Sequence, residues 1–262
     1  MRLPATERLY YRDASRTEFE ASIIDLDASR TRAVLDQSAF YPTSGGQPCD
    51  MGTLADVAVV DVTEDGDSVV HHLATPLPEG VTSVTGRVDW ARRLDHMQQH
   101  TGQHLLSALL EDHFGWPTVS VHFGAESGTL DLGVESVPPQ LLREAERLVN
   151  GLVTENRPVS ITFEAPETAA GLRKPSERDG LLRIVSIEGI DRNACGGTHV
   201  SRTGAIGPIL LRRAERMRGT TRVEFRCGAR AIARARADYD IGQQLAALFS
   251  TCLLYTSPSP RD

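Results

Sequence analysis

Residues 90–114 read WARRLDHMQQHTGQHLLSALLEDHF, and this stretch decides the fold of the chain around it. Either Asp89 or Asp95 offers the carboxylate that caps a helix N-terminus. The apolar residues recur at the three- and four-residue spacing of an amphipathic helix. They are Leu94, Met97, Leu105, Leu106, Leu109 and Leu110. We therefore predict one long helix over this stretch.

Three histidines follow one line on that helix. Residues four apart lie one above the other, so His100 and His104 point the same way and both imidazoles can reach one metal ion. His96 continues the row, displaced by about 40° for each step of four residues, and the spacing leaves open whether it takes part. Alone, an HxxxH pair is weak evidence, because polar, partly solvated histidines often have this spacing.

A second pair of candidate ligands lies in NACGGTHV, residues 193–200. The two glycines between Cys195 and His199 let the backbone turn tightly enough for both side chains to converge. Two histidines from a helix, with a cysteine and a histidine from a turn, form a set of four donors suited to zinc. A metalloprotease of the HExxH class is excluded, because HTGQH lacks the glutamate that acts as its general base.

A third motif, FYPTSGGQPCDMG, lies upstream at residues 40–52. Together with HTGQHLLS and CGGTHV, in this order, it resembles the editing domain that alanyl-tRNA synthetases share with the free-standing alanyl-tRNA editing proteins of the AlaX family. This domain is also described as the second additional domain of threonyl and alanyl tRNA synthetases. The resemblance runs from about Ala33 to Ala235. It implies an enzyme that deacylates tRNA for alanine wrongly charged with serine or glycine.

The resemblance also assigns roles to residues. It implies that the metal is Zn²⁺ and that tRNA is the partner, with Gly45 and Gly46 allowing a close backbone approach to the acceptor end. Gln103, where the family often has threonine, and Thr101 are the candidates for contact with the mischarged amino acid. His122 is a further candidate, although a half-buried strand histidine without function fits its position equally well. The implied zinc ligands are His100, His104, Cys195 and His199.

Composition and charge limit the class of protein. Of 262 residues, 40% are hydrophobic and 24% are charged, and the formal net charge is −7, as in ordinary soluble globular proteins. The negative charge argues against a surface that binds nucleic acid everywhere, but it allows a local basic patch. The four cysteines lack the spacing of a disulfide framework, which favours a reducing compartment. No apolar run approaches the roughly 18 residues of a membrane span, and we expect a cytoplasmic protein.

The pattern predicts an α+β fold in two domains. Residues 1–88 contain short strands rich in β-branched residues, with a hairpin turn at residues 64–67, and predict a small β-barrel-like domain. Residues 89–235 predict an editing domain with helices packed on an antiparallel sheet, and residues 236–249 the start of a linker helix. Residues 250–262, STCLLYTSPSPRD, have no core pattern. We expect them to be a non-native tail on a truncated chain.

An arginine-rich segment lies downstream of the CGGTH motif. Between Arg212 and Arg236 there are nine arginines, and the acidic residues are only Glu215 and Glu224. Such a run is often a solvated face, yet arginine is also the residue suited to bidentate contact with phosphate. We predict that Arg218 and Arg222 contact tRNA.

These observations favour a zinc-dependent hydrolase acting on mischarged tRNA. Zinc could activate a water, which requires an open coordination position, or it could shape the pocket, and the sequence leaves both open. Two alternatives remain: a fragment of an alanine–tRNA ligase that contains its editing domain, and a noncatalytic zinc-stabilised module that binds tRNA. Homodimerisation through a C-terminal part outside this sequence is also left open.

Overall fold

The computed structural model describes residues 3–175 and 180–248. Within them the chain is a mixed α+β protein with antiparallel sheets and three α-helices, as the sequence predicts. The expected tail at residues 250–262 lies outside the described residues. So does Phe249, the last residue of the predicted linker helix.

Eight strands precede the first α-helix. They are β1 (Glu7–Arg8), β2 (Glu18–Leu26), β3 (Arg32–Leu35), β4 (Gln37–Ser38), β5 (Gly52–Leu54), β6 (Val57–Asp65), β7 (Ser68–Leu73) and β8 (Ser83–Val88). Six of them pair in the cyclic order β2-β3-β7-β6-β5-β8, and β8 returns to β2, so this sheet closes on itself. The short strands β1 and β4 pair with each other in parallel.

The closed sheet follows from residue type and turn chemistry. In β2 the buried positions alternate with exposed ones over Phe19 and Ala21, as expected of a strand with one face in a core. Gly66 supplies the positive φ, +61°, that the tight turn between β6 and β7 requires. The predicted hairpin is confirmed, because Asp65 pairs with Ser68 across this turn.

The predicted long helix is α1 (Trp90–Phe114). It begins after Asp89, whose side chain accepts a hydrogen bond from the Arg92 backbone N–H at 3.2 Å, so Asp89 rather than Asp95 is the N-cap. It ends at Gly115, which adopts the left-handed conformation with φ of +67°. Asp89 and Gly115 therefore set the two ends of the helix that carries His100 and His104.

After α1 the chain forms two further sheets and two further helices. They comprise β9 (Thr118–Phe123), β10 (Gly128–Leu132), α2 (Pro139–Thr154), β11 (Val159–Glu164), β12 (Leu182–Ile187), β13 (Asp191–Ala194), β14 (Ile209–Arg216), β15 (Thr221–Cys227) and α3 (Ala229–Leu248). One sheet has the order β14-β15-β10-β9 and the other β11-β12-β13. Helix α1 packs against β15, β9 and α2, and α2 packs against β14.

Two groups of buried apolar residues form the core. One fills the closed sheet and includes Phe19, Phe40 and Leu54, and the other surrounds α1 and α2 and includes Leu106 and Phe225. These two groups do not test the domain division predicted from the sequence, which stays a prediction. Among the helices in the described ranges, none combines the length and the apolar character needed to cross a bilayer.

Candidate metal centre

Four side chains from two elements converge on one point. Helix α1 contributes His100 and His104, and the turn after β13 contributes Cys195 and His199. Their potential ligand atoms all lie within 4.8 Å of one another. The Cys195 Sγ lies 3.4 Å from His100 Nε2 and 3.3 Å from His199 Nε2. Tetrahedral zinc bound to sulfur and nitrogen separates its donors by about 3.3–3.6 Å, so the site could hold a metal ion of this kind.

Each of the three imidazoles has its second nitrogen fixed. In every case Nδ1 contacts a polar side chain, so Nε2 is left for the metal, as is usual for histidine ligands. The Nδ1 contacts are His100 to Gln47 Oε1 at 2.8 Å, His104 to Asp191 Oδ2 at 2.9 Å, and His199 to Thr101 Oγ1 at 3.1 Å. His96, one turn earlier on α1, is buried but is not one of the four converging residues.

Gln47 connects the SGGQP motif to the metal centre. Ser44 and Gln47 exchange two backbone hydrogen bonds across Gly45 and Gly46, whose φ values are +56° and +84°. Positive φ at both central positions is the type I′ turn, which favours glycine. The turn directs Gln47 inward, where its Nε2 donates to Thr198 Oγ1 at 2.8 Å. The sequence interpretation missed Gln47, although it directly follows the paired glycines.

A buried ion pair attaches this loop to α1. Arg93 and Asp50 are both fully buried, and Arg93 Nε lies 3.0 Å from each carboxylate oxygen. Arg93 also donates to the carbonyls of Ala14 and Ala39, at 2.6 and 2.5 Å. Asp50 accepts the backbone N–H of Tyr41 at 2.6 Å. The loop is therefore fixed at the helix that carries two of the converging histidines.

Asp191 is a second residue that the sequence interpretation missed. Its side chain is 1% exposed and accepts hydrogen bonds from His104, from Arg173 Nε at 2.8 Å and from Asn193 Nδ2 at 2.7 Å. Burial opposes the charge of His104, but the hydrogen bonds to Asp191 and Cys195 prevail and raise the pKa of His104 to about 10. The only signal in the sequence is an aspartate four residues before Cys195, on the strand β13 that the pattern did not predict.

The electrostatics favour a thiolate at Cys195. Burial of the sulfur opposes ionisation, but the facing imidazoles of His100 and His199 outweigh it and hold the pKa of Cys195 well below its ordinary value. The thiolate is the form of cysteine that binds metals. Gly197 is required beside it, because a Cβ there would lie 2.2 Å from His100 Cε1.

Comparisons with known proteins bear on the family of this chain. The sequence profile of the threonyl and alanyl tRNA synthetase second additional domain matches residues 182–224. The alanyl-tRNA editing protein Aarsd1 of Bos taurus is 36% identical over 223 residues, which cover 83% of this chain and 50% of that protein. The chain belongs to the alanyl-tRNA editing domain family.

Two further relatives show how much of the longer proteins is matched. The alanine–tRNA ligase of Pyrococcus abyssi is 39% identical over 249 residues, which cover 88% of this chain and 27% of the ligase. The editing protein Aarsd1 of Danio rerio is 34% identical over 83% of this chain and 54% of that protein. The chain thus spans about a quarter of the ligase and about half of the editing proteins.

In this member of the family, a polar cavity of about 230 Å³ lies beside the metal centre. Gln103 lines it, as do Ser107, Asn193 and Cys195. Gln103 Nε2 and Thr118 Oγ1 both donate to Ser107 Oγ at 2.9 Å. Because that oxygen accepts two hydrogen bonds, the Ser107 hydroxyl proton remains available to an acceptor in the cavity.

The other two predicted substrate contacts lie elsewhere. Thr101 is fully buried, and its hydroxyl contacts His199 and accepts the backbone N–H of Val200 at 3.1 Å, so it supports a ligand. His122 lies on β9, where its neighbour Val121 lines the cavity. The His122 side chain is 64% exposed, with Nε2 3.9 Å from Asp131. Successive strand residues point to opposite faces, so the structure does not place His122 among the cavity residues.

The arginine-rich segment carries less unpaired charge than its sequence indicates. Carboxylates from elsewhere in the chain, including Asp95, Asp131 and Glu135, pair with it. Seven of the nine arginines form ion pairs: Arg212, Arg213, Arg216, Arg222, Arg226, Arg230 and Arg234. Arg222 binds Asp131 through two nitrogens at 2.7 and 2.8 Å. Arg218 lies exposed in the β14–β15 turn, with no carboxylate of the described residues within ion-pair distance.

Proposed function

We propose that this chain is a zinc-dependent aminoacyl-tRNA deacylase, which hydrolyses the ester joining serine or glycine to the terminal ribose of tRNA for alanine. The observation that carries the proposal is the convergence of His100, His104, Cys195 and His199 within 4.8 Å, beside a small polar cavity. Relatives named alanyl-tRNA editing proteins support this class of reaction.

Zinc is the metal that this donor set favours. Thiolate and imidazole suit zinc better than the carboxylate and carbonyl sites that take magnesium or calcium. With a coordination position open, a bound ion would supply Lewis-acid charge at the ester carbonyl. Because the chain offers four donors, all the positions of a tetrahedral ion can be filled by protein. We therefore propose that these four residues fix the shape of the cavity rather than hold a metal-activated water.

Selection of serine over alanine follows from hydrogen bonds in the cavity. The Ser107 hydroxyl can donate a hydrogen bond to the hydroxyl oxygen of a bound serine. Gln103 and Asn193 line the same cavity. A site that hydrogen-bonds the serine hydroxyl leaves polar groups unpaired when alanine enters, which discriminates strongly against alanine. This direction of selection is the useful one, because hydrolysis of correctly charged Ala-tRNA would be futile.

The tRNA contacts are part of the same proposal. Arg218 is exposed and without an ion-pair partner in the described chain, so it is the better placed of the two predicted arginines. Arg222 would have to exchange Asp131 for phosphate. Gly45, in the turn that leads to Gln47, lines a cleft next to His100 and Gly46 lies beside it. A tRNA substrate also implies a location where translation takes place, which we propose is the cytoplasm.

The test is deacylation by purified protein. We expect serine to be released from Ser-tRNA for alanine while Ala-tRNA is spared, and we expect about one zinc per chain by elemental analysis. Treatment with a chelator, or the double change Cys195→Ala and His199→Ala, should abolish both zinc and activity. Equal hydrolysis of the two tRNAs would contradict the selection argument.

The two alternatives have distinct outcomes. A protein that holds zinc and binds tRNA but hydrolyses neither substrate would be the noncatalytic binding module. The ligase alternative concerns the gene rather than the site, and a longer sequence that includes an ATP-dependent charging domain would establish it. Homodimerisation is a separate question, which sedimentation of the longer protein would answer.

A further inference from the structure

One face of helix α1 forms a wall of the small cavity beside the metal centre. Gln103, Ser107 and Glu111 line this cavity, and because they are four residues apart they follow one another along the same face of the helix. Of the described residues that line the cavity, Glu111 is the acidic one. The wall therefore carries the Ser107 hydroxyl and, one turn further along the helix, a carboxylate.

Glu111 retains hydrogen-bonding capacity at this wall. Its side chain is 39% exposed, and its Oε2 lies 3.3 Å from Arg173 Nη1. Arg173 has closer partners, because its nitrogens lie 2.8 and 2.9 Å from the two Asp112 oxygens and 2.8 Å from Asp191 Oδ1. In the described chain, the other Glu111 oxygen, Oε1, accepts no hydrogen bond. The Glu111 carboxylate can therefore accept further hydrogen bonds from a ligand.

The cationic side chains that line the cavity are held by other parts of the chain. Arg173 is paired with Asp112 and Asp191, and Lys174 Nζ donates to the Thr118 carbonyl at 2.9 Å. A ligand with an ammonium group would be attracted by Glu111 and repelled by Lys174, so the two charges together give it one orientation in the cavity.

An aminoacyl ester brings a positive charge into such a cavity. Its carboxyl group is used in the ester, so the amino acid carries an α-ammonium group without a carboxylate of its own. Removal of an ammonium group from water is costly unless new partners replace the water, and hydrogen bonds between two charged groups are the strong ones in proteins. In serine the hydroxyl and the ammonium group are on neighbouring carbons, so together they can contact side chains one helical turn, about 5.4 Å, apart.

We propose that Glu111 binds the α-ammonium group of the aminoacyl ester and makes the deacylase specific for amino acids whose amino group is free. This inference rests on the proposed function. With the serine hydroxyl at Ser107, the ammonium group lies at Glu111. The ester is then directed to His104 and Cys195, which line the same cavity. A tRNA that carries an N-acylated amino acid, such as a growing peptide, lacks this charge and is rejected.

The first test measures binding without turnover. Its ligands are 3′-amino-3′-deoxyadenosine amides, in which an amide replaces the ester, and titration calorimetry gives their Kd with zinc-loaded protein. The seryl amide is compared with its N-acetyl form and with the 3-hydroxypropanoyl amide, which keeps the hydroxyl but has no amino group. We expect the wild type to bind the seryl amide about tenfold more tightly than the other two, because one hydrogen bond to a charged group is lost in each. Glu111→Gln should bind all three with similar affinity.

Activity supplies a second readout. For Ser-tRNA, Glu111→Gln should lower kcat/KM about tenfold, whereas kcat/KM for N-acetyl-Ser-tRNA should stay at the low value of the wild type. Asp112→Asn is the matched control, because it removes the neighbouring carboxylate bound to the same Arg173 and Asp112 does not line the cavity. This variant should keep the preference for a free amino group, and zinc content should be the same in all three proteins.

The outcomes separate this inference from the proposed function. A wild type without the preference, or a preference of the same size in Glu111→Gln, would overturn the inference, while hydrolysis of Ser-tRNA would still support the proposed function. Loss of the preference in Asp112→Asn as well would also overturn it, since the effect would then belong to the position of Arg173. If the wild type hydrolyses neither tRNA but its binding preference disappears in Glu111→Gln, the proposed function fails and the ammonium site remains.

Discussion

At the scale of the residue, Gln47 links a loop of the N-terminal half to His100, a proposed metal ligand 53 positions away. Its Oε1 accepts from His100 Nδ1 and, at 3.2 Å, from the backbone N–H of Thr198, so one amide oxygen positions both the helix and the CGGTH turn. Outer-sphere partners of this kind fix the tautomer and the orientation of the ligand. Gln47 is therefore a positioning residue for the centre.

We predict that Gln47→Ala weakens zinc affinity by about 10- to 100-fold, the usual cost of losing such a partner. The measurement is competition for zinc with a chelator of known affinity. Gln37→Ala removes an amide that donates to the Glu20 carbonyl, in the N-terminal half, and should leave zinc affinity unchanged. Equal affinity in the Gln47 variant and the wild type would mean that His100 is oriented without this hydrogen bond.

Gly197 allows a second prediction at this scale. A methyl group in place of its hydrogen would lie 2.2 Å from Cε1 and 2.4 Å from Nδ1 of His100, so Gly197→Ala must displace either that imidazole or the turn. We expect zinc affinity to fall by more than about tenfold, in line with the cost of disturbing a ligand's surroundings. Gly151→Ala is the control, because nothing lies within 4 Å of its added carbon. That change should stabilise α2 by about 1 kcal/mol.

At the scale of the element, the Arg93–Asp50 pair joins the loop of residues 41–50 to α1. Asp50→Ala would leave the Arg93 guanidinium buried without its counter-charge, which costs about 3–5 kcal/mol. We expect urea unfolding to show a loss of this size. The further change Arg93→Met should recover part of it, because the unpaired charge is then gone. A double variant as unstable as the sum of both single variants would argue against coupling between the two side chains.

Strand β7 carries a histidine that makes stability depend on pH. Complete burial lowers the pKa of His71 from 6.5 to about 4, and the imidazole is neutral in the fold, between Ser38 at 2.8 Å and the Ala33 carbonyl at 3.2 Å. Below pH 6.5 the unfolded chain takes up a proton that the folded chain does not. From His71 alone, the free energy of unfolding should therefore decrease by about 3 kcal/mol between pH 6.5 and 4.

His71→Gln tests this dependence. Chemical unfolding at pH 7 and pH 5 should show a smaller pH effect in this variant than in the wild type. His72→Gln is the neighbouring control, because that side chain is only partly buried and should leave the pH effect in place. A pH effect of the same size in all three proteins would assign it to other groups.

At the scale of the whole molecule, we expect metal binding and folding to depend on each other. The converging donors come from α1 and from the turn after β13, so a bound ion joins parts of the chain that are 91 residues apart between His104 and Cys195. Binding free energy at such a site is also folding free energy. We predict that a chelator lowers the unfolding temperature. If free zinc was at 1,000 times Kd beforehand, its removal should lower the free energy of unfolding by about 4 kcal/mol.

Cys195→Ser supplies the comparison for this prediction. The variant should unfold at the temperature of the chelated wild type and should respond little to added zinc or chelator. An unfolding temperature that does not change with zinc in the wild type would contradict a link between the metal centre and the fold. Circular dichroism at 222 nm follows the helices that surround the site.

The sequence predicted the parts of the site that depend on local periodicity. A helix spacing aligned His100 and His104, and a short glycine-rich segment brought Cys195 and His199 together. It did not predict Gln47 or Asp191, because their partners lie 53 and 87 residues away and no local pattern records such a contact. The arginine-rich segment shows the same limit. The count of acids within the segment found two, whereas the fold brings Asp95, Asp131 and Glu135 from elsewhere in the chain to the same arginines.

The hydrogen bond from Gln47 to the CGGTH turn has a consequence for the order of assembly. The contact from Gln47 to Thr198 spans 151 residues and is among those of longest range in the described chain. Contacts of long range form late, because the entropy cost of closing the chain between them must be overcome first. Helix α1 depends on local contacts and can form early. The CGGTH turn and the loop that carries Gln47 then reach His100 and His104 at a later stage. Rapid-mixing experiments should therefore find zinc uptake in step with the last folding phase, after the helical signal has appeared.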